Sequence, residues 1–220
     1  VLDLTAAYGM LVNGGKRIRP TLIDRVQNRQ GATIARHDDR RCPDCTATFW
    51  TDQPMPNLPD TRQQVTDPLS AYQMVHILEG VVQRGTGRRV RAVGKPIAGK
   101  TGTTNDTTDT WFVAFSPELA VGVFVGFDEP RTLGPRETGS SVAAPIFTDF
   151  MAAALADQPA TPFRIPSGIR LVRVDHKTGR VARSGDSDVI LEAFKPGNVP
   201  EATGTARVLG GGRLDTSAGA

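Results

Sequence analysis

Residues 94–110 read Gly94-Lys95-Pro96-Ile97-Ala98-Gly99-Lys100-Thr101-Gly102-Thr103-Thr104-Asn105-Asp106-Thr107-Thr108-Asp109-Thr110, and the fold turns on how this stretch is taken. Its first eight residues match G-x-x-x-x-G-K-[ST], a loop that cradles phosphates with backbone amides. Downstream, the apolar run Val123 to Phe127 with Asp128-Glu129 even resembles the strand and acidic end that would hold magnesium in such a site. A phosphate loop needs a helix to begin at its Lys-Thr, because helix N-terminal N–H groups hold the anion. The chain instead continues with Gly102 and four threonines in seven residues, and shows no apolar helical face. Such residues are poor in a helix interior, and Pro96 stiffens a segment that should wrap. The stretch therefore reads as strand, turn and strand, with one strand entering after Pro96 from Ile97 to Thr104 and another from Trp111 to Phe115.

On the C-terminal side, Leu119, Val121, Val123, Val125 and Phe127 alternate, which predicts a third strand joined to the second by a hairpin at Ser116-Pro117-Glu118. Before the central stretch, Asp67-Pro68 marks a helix start, with Asp as N-cap and Pro in the first helical position. Tyr72, Val75, Leu78 and Val82 form its buried stripe, and Gly85-Thr86-Gly87 stops it. At the N-terminus, Leu4, Ala7, Tyr8 and Leu11 trace another helical face, ended by Asn13-Gly14-Gly15. Residues 20–36 read as a hairpin around Asn28-Arg29-Gln30-Gly31, with Leu22-Ile23 to Val26 and Thr33-Ile34 on its flanks. Residues 37–65 are polar, proline-rich and aperiodic, as in a long surface loop. After the sheet, Phe147, Phe150, Met151, Ala154 and Leu155 predict a helix started near Ser141. Pro159, Pro162 and Pro166 then mark a linker. Ile169 to Val174 and Arg180 to Ala182 flank a turn at Asp175 to Gly179, and Val189 to Phe194 is a further strand. The expected organisation is a main body over 1–158, a linker with a small β extension over 159–195, and a disordered Gly/Pro/Ala/Thr-rich tail over 196–220. Helices covering an antiparallel sheet make an α/β (α+β) sandwich.

Bulk properties agree with one core: 220 residues, 39% hydrophobic, with a net charge of +3. So small an excess does not argue for nucleic acid, and the Arg84 to Arg91 patch reads as a solvated loop rather than a polyanion site. No stretch approaches the roughly 18 apolar residues that span a bilayer, and no signal peptide is present. The chain opens at Val1-Leu2-Asp3 on a helical pattern and is expected to be a piece of a longer protein. Cys42-Pro43-Asp44-Cys45 admits a local disulfide, free thiols or half a metal site; a zinc site needs about four ligands, and only His37 stands near as a third. His76 lies off its helix's buried stripe and reads as a surface or boundary histidine.

Lys100-Thr101-Gly102-Thr103 on a strand has a chemistry of its own, that of the K-T-G motif of serine acyl transferases acting on D-alanyl peptides and β-lactams. An edge strand pairs with an extended peptide, and Gly102 lets it approach without a Cβ in the way. Threonine hydroxyls hydrogen-bond a terminal carboxylate, with Lys100 as the positive charge behind it. The Thr103 N–H can point at a developing oxyanion.

The neighbouring residues carry a family resemblance. Gly80-Val81-Val82-Gln83-Arg84-Gly85-Thr86-Gly87, Ala98-Gly99-Lys100-Thr101-Gly102-Thr103-Thr104-Asn105-Asp106, Asp109-Thr110-Trp111-Phe112-Val113-Ala114-Phe115-Ser116-Pro117 and Val125-Gly126-Phe127-Asp128 resemble the class A, bifunctional penicillin-binding proteins. Leu4-Thr5-Ala6-Ala7-Tyr8 with Asn13-Gly14-Gly15, and Ala144-Pro145-Ile146-Phe147 with Phe150-Met151, resemble the same domain. Gly168-Ile169-Arg170-Leu171-Val172 and Leu191-Glu192-Ala193-Phe194-Lys195-Pro196-Gly197 are similar to the Gram-negative type 1A branch. The resemblance covers roughly 1–195, with 99–128 its most specific block. It implies a penicillin-binding transpeptidase fold, here incomplete, and a periplasmic parent that cross-links peptidoglycan stem peptides through an acyl-serine and is acylated by β-lactams. It implies no cofactor and no metal, and it places a glycosyltransferase domain and a membrane anchor elsewhere in such parents. Lys100 and Thr103 then carry catalytic roles, and Thr101, Gly102 and Thr104 bind substrate. One departure is plain: Ser70, Ser116, Ser140, Ser141, Ser167, Ser184, Ser187 and Ser217 all lack a lysine three residues later, and no S-x-N occurs. The nucleophile and its base are therefore expected outside this chain. A D,D-carboxypeptidase or β-lactamase relative, or a non-catalytic cell-wall binding module, are the alternative readings.

Overall fold

A computed structural model describes residues 1–38, 40, 42, 45, 49, 52 and 58–200. The strand–turn–strand reading holds. β3 (Ala98–Thr103), β4 (Asp109–Phe115) and β5 (Ala120–Gly126) form an antiparallel sheet in the order β3-β4-β5. Lys100 faces Val113, Gly102 faces Trp111, and Trp111 faces Phe124. A single 3₁₀ turn, Asn105–Thr107, follows β3, so no helix starts where a phosphate loop requires one.

Alternation along each strand gives the sheet two faces, and each is covered. Ala98, Phe115 and Ala120 pack under α1 (Leu2–Val12) and α2 (Pro68–Gln83), where Tyr72, Val75, Leu78 and Phe163 close a core. Phe112, Ala114, Val121 and Val123 pack on the other side against Val90 and Val93 of the 3₁₀ segment Arg88–Val93. Phe147, Met151 and Leu155, from α3 (Ala144–Ala154) and its C-cap, complete that layer. The α2 stripe is the expected one. α3 uses the i, i+4, i+8 row Phe147–Met151–Leu155, and Phe150 and Ala154, expected on that face, are exposed.

α1 keeps half of its expected stripe: Tyr8 and Leu11 pack on the core, with the Tyr8 and Phe115 ring centroids 6.4 Å apart. Leu4 and Ala7 are exposed, and Gly9 is the residue it buries. Small residues bring the helix close to its neighbours: a Cβ on Gly122 of β5 would stand 2.2 Å from Thr5 Oγ1, and one on Gly9 would stand 2.9 Å from Ile18 Cδ1, in the loop after the helix. Apolar contacts of Tyr8, Leu11 and Val12 with the core and close approach at these small residues together seat this helix.

The N-terminal hairpin forms from β1 (Arg25–Gln27) and β2 (Thr33–Arg36), shorter than expected because Leu22 and Ile23 precede it unpaired. Much of the 37–65 loop lies outside the described residues. Within it Cys42 and Cys45 are joined by a disulfide with Cα atoms 5.3 Å apart. The loop returns along residues 15–17, where Lys16 pairs with Asp60 at 2.6 Å and the Arg17 N–H donates to Gln63 O.

The C-terminal strands correct a second expectation. β6 (Arg170–Asp175) pairs along its length with β7 (Val189–Phe194), whereas the 180–182 segment contributes one isolated bridge, Val174–Val181. The Asp175–Gly179 turn itself forms, held by Thr178 on Asp175 Oδ1. β7 lies against α2 through its backbone: Gln73 Nε2 donates to Ala193 O at 2.9 Å, and His76 Nε2 meets Leu191 O at 2.8 Å. Arg84 pairs with Glu192 at 3.1 Å. His76 is thus a docking residue. The expected tail over 196–220 lies outside the described residues beyond Pro200.

Asp67 links the two parts. It caps α2 by accepting from the Ser70 N–H at 3.1 Å, and it pairs with Lys195 at 2.7 Å. The Lys195 hydrogen bond, with Ser70, holds its carboxyl at about 2. A folded pKa below the unfolded one, about 3.9, contributes stability above the unfolded value and loses it as pH falls through the folded value. The β6–β7 hairpin is expected to loosen from α2 between about pH 4 and about pH 2. Hydrogen exchange of the hairpin amides reads this, and Asp67→Asn should abolish the pH dependence.

Candidate active site

β3 is an edge strand, and the ladder decides what its edge presents. Thr104 N donates to Asp109 O, which sets the alternation and turns the backbone groups of Thr101 and Thr103 away from β4. The Thr101 carbonyl is engaged there by Lys100 Nζ at 2.9 Å. The Lys100 side chain starts on the face of Gly102, Trp111 and Phe124, and its ammonium reaches round to the edge, 3.5 Å from Thr101 Oγ1. Trp111 and Phe124 pack with ring centroids 4.7 Å apart on that same face.

Thr101 and Thr103 belong to the opposite face, which the chain on either side of the sheet braces. Thr86, beyond the end of α2, places its hydroxyl 2.8 Å from Thr101 Oγ1. Ser140 Oγ donates to Thr86 O at 2.9 Å. Gly139 N donates to Thr103 Oγ1 at 3.1 Å. Ser140 and Gly139 belong to a π-helical turn, Gly139–Ala143, that leads into α3 and is capped by Thr138 and Ser141 acting reciprocally. That turn lies so close that a Cβ on Gly139 would stand 2.4 Å from Trp111 O and 2.6 Å from Gly102 O.

The protons left over define what the rim can offer. Thr86 and Thr101 share one bond, so one of the two hydroxyls keeps a proton to donate outward. Thr103 Oγ1 accepts from Gly139 and retains its own proton. Lys100 adds positive charge beside them. A rim of hydroxyl donors and an ammonium is a carboxylate-recognition surface. Thr104 is placed otherwise: its hydroxyl accepts from Asp109 N at 2.8 Å and meets Thr108 Oγ1 at 2.8 Å, which commits it to the β3–β4 turn.

The structure therefore brings Lys100, Thr101, Gly102 and Thr103 together on one edge. It adds Thr86, Gly139 and Ser140, which sequence reasoning did not single out. Thr86 stood in a segment read as a helix stop and as part of the family resemblance, with no site role given to it. Ser140 figured only as a serine without a lysine three residues on, and Gly139 only precedes the helix expected to start near Ser141. Cys42 and Cys45 belong to the loop after β2.

Comparisons agree with this architecture. The family described as "Penicillin binding protein transpeptidase domain" matches residues 1–152. Penicillin-binding protein 1A of Rickettsia bellii (strain RML369-C) is 46% identical over 198 residues, 89% of this chain and 25% of that protein. Penicillin-binding protein 1A of Pseudomonas aeruginosa is 33% identical over 229 residues, 90% of this chain and 28% of that protein. The chain thus spans about a quarter of the length of these curated relatives. The crystal structure of Penicillin-Binding Protein 1A from Haemophilus influenzae shares the fold, with a TM-score of 0.73 at 24% identity over 91% of this chain and 32% of that one. With 152 of 220 residues matched by the family and a sheet-and-helix architecture common to a solved relative, the chain belongs to the penicillin-binding protein transpeptidase family.

Proposed function

We propose that this chain supplies the substrate-binding and oxyanion strand of a peptidoglycan D,D-transpeptidase whose nucleophile is not among these residues. One observation carries the reading. An open strand edge holds Lys100 Nζ, the Thr101 and Thr103 hydroxyls and an outward Thr103 N–H within one stretch of backbone.

The roles follow from position. A stem peptide ending in D-Ala-D-Ala adds to the β3 edge as an extended strand, its path cleared by Gly102. Its terminal carboxylate meets the threonine hydroxyls and the Lys100 charge. Its penultimate carbonyl lies by the Thr103 N–H, which stabilises the oxyanion that forms when a serine attacks. Expulsion of D-alanine and capture of the acyl group by a neighbouring amine complete the transfer. β-Lactams, which mimic the dipeptide, acylate the same serine. The work is expected on the periplasmic side of the inner membrane; among the described residues no helix is long and apolar enough to cross one.

None of the eight serines has a lysine three residues on, and covalent catalysis needs nucleophile and base within hydrogen-bond reach. The 220-residue chain by itself is therefore expected to form no covalent adduct with fluorescent penicillin on a denaturing gel, under conditions that label the intact protein containing it. A stable labelled band from the isolated chain would sink the assignment.

A further inference from the structure

A second site lies away from the β3 edge. The C-terminal end of α1, the N-terminal end of α2 and the chain around 163–167 enclose a cavity of about 460 Å³. That volume is in the range of small-molecule sites, which are mostly apolar with a few placed polar groups. The buried part of the lining is apolar, made by Tyr72, Val75 and Phe163. The polar part is cationic: Lys16, Arg62 and Arg164.

The charges do not cancel. Asp60 pairs with both Lys16 and Arg62, at 2.6 and 2.8 Å, and so neutralises one of them. Arg164 has no ion pair among the described residues. Pro68, the first residue of the 16-residue helix α2, also lines the cavity, and the Asp67 carboxylate that caps this helix is itself paired with Lys195. A buried polar atom adjoins the cavity. Asn13 lines the cavity, and its Nδ2 is buried with no hydrogen-bond partner. Buried donors are rarely left unmade, since each costs free energy when unsatisfied.

We infer that this cavity binds a small carboxylate with an apolar, aromatic-sized body. The body lies on Tyr72, Val75 and Phe163, and the carboxylate accepts from Arg164. The site uses no residue of the β3 edge, so it stands or falls separately from the proposed transpeptidase role.

The test is calorimetric titration of the intact protein with 3-phenylpropanoate and with its neutral isostere 3-phenylpropanol. The acid is expected to bind saturably with a Kd below about 1 mM, roughly ten-fold tighter than the alcohol. Arg164→Gln should weaken the acid roughly ten-fold and leave the alcohol unchanged. Prior acylation with penicillin should leave the acid's affinity unchanged. Equal affinity for acid and alcohol, indifference to Arg164→Gln, displacement by penicillin or no saturable binding would each overturn the proposal.

Discussion

Gly139→Ala is expected to destabilise the protein by about 3 kcal/mol, near the upper end of what overpacking costs. The added Cβ would stand 2.4 Å from Trp111 O, 2.6 Å from Gly102 O and 3.0 Å from Gly102 N. All three are backbone atoms of the β3–β4 ladder, so no side-chain rotation relieves the clash. The π-helical turn must lift from the sheet. That lift breaks the Gly139 N–H to Thr103 Oγ1 bond and pulls at Ser140, which reaches Thr86. Urea denaturation measures the stability loss. Gly102→Ala is the milder contrast: its nearest neighbour is Trp111 Cβ at 3.0 Å, so the strands need give only by a few tenths of an ångström. It should cost less stability and yet slow penicillin acylation, because its Cβ would stand on the proposed path of the substrate. Equal midpoints for Gly139→Ala and the parent protein would refute the packing account.

Lys100→Ala is expected to lower the acylation rate of the intact protein by about 10²-fold, the scale set by removing one preorganised charge-stabilising group. Stability should hardly change. Lys100 is exposed, and its bonds run to the adjacent residue, Thr101 O and Oγ1, so they tie no two elements together. Exposed polar substitutions of this kind typically fall within about 0.5 kcal/mol. Lys100→Arg should recover part of the rate, since it restores charge without the compact ammonium. Stopped-flow acylation with a chromogenic β-lactam, beside a melting curve, separates the two effects. A rate within about two- or three-fold of the parent would remove Lys100 from the site.

The parts of the fold that were legible share one property: the side chains that pack are also the ones that pattern. Tyr72, Val75, Leu78 and Val82 repeat at helical spacing because their contacts are apolar and large. The β3–β4–β5 meander was legible because a Thr/Gly-rich run cannot sustain a helix and because Leu119 to Phe127 alternates. α1 was half legible: Tyr8 and Leu11 pack on the core as their spacing implies, whereas the contacts of Thr5 with Gly122 and of Gly9 with Ile18 leave no hydrophobic signal. The docking of β7 was invisible for another reason. Gln73 and His76 bind the main-chain carbonyls of Ala193 and Leu191, and a backbone acceptor is the same whatever residue bears it. Phe150 points outward at 52% exposure although its type favours burial. Nothing in the residue itself distinguishes it from Phe147.

The site divides similarly. Lys100 to Thr103 are contiguous and were read directly. Thr86, Gly139 and Ser140 arrive from separate elements, and only tertiary structure brings them to Thr101 and Thr103. Among the serines of the described residues, Ser140 is the one joined to this network, which makes it the natural rival to the proposed nucleophile. Its hydroxyl donates to the Thr86 carbonyl, and no lysine stands at the third position after it to serve as base.

The intact protein should therefore be acylated with penicillin, digested and mapped by mass spectrometry. The penicilloyl adduct is predicted on a serine outside these 220 residues, with Ser140 and the other seven unmodified. An adduct on Ser140, or on any serine of this chain, would contradict the account.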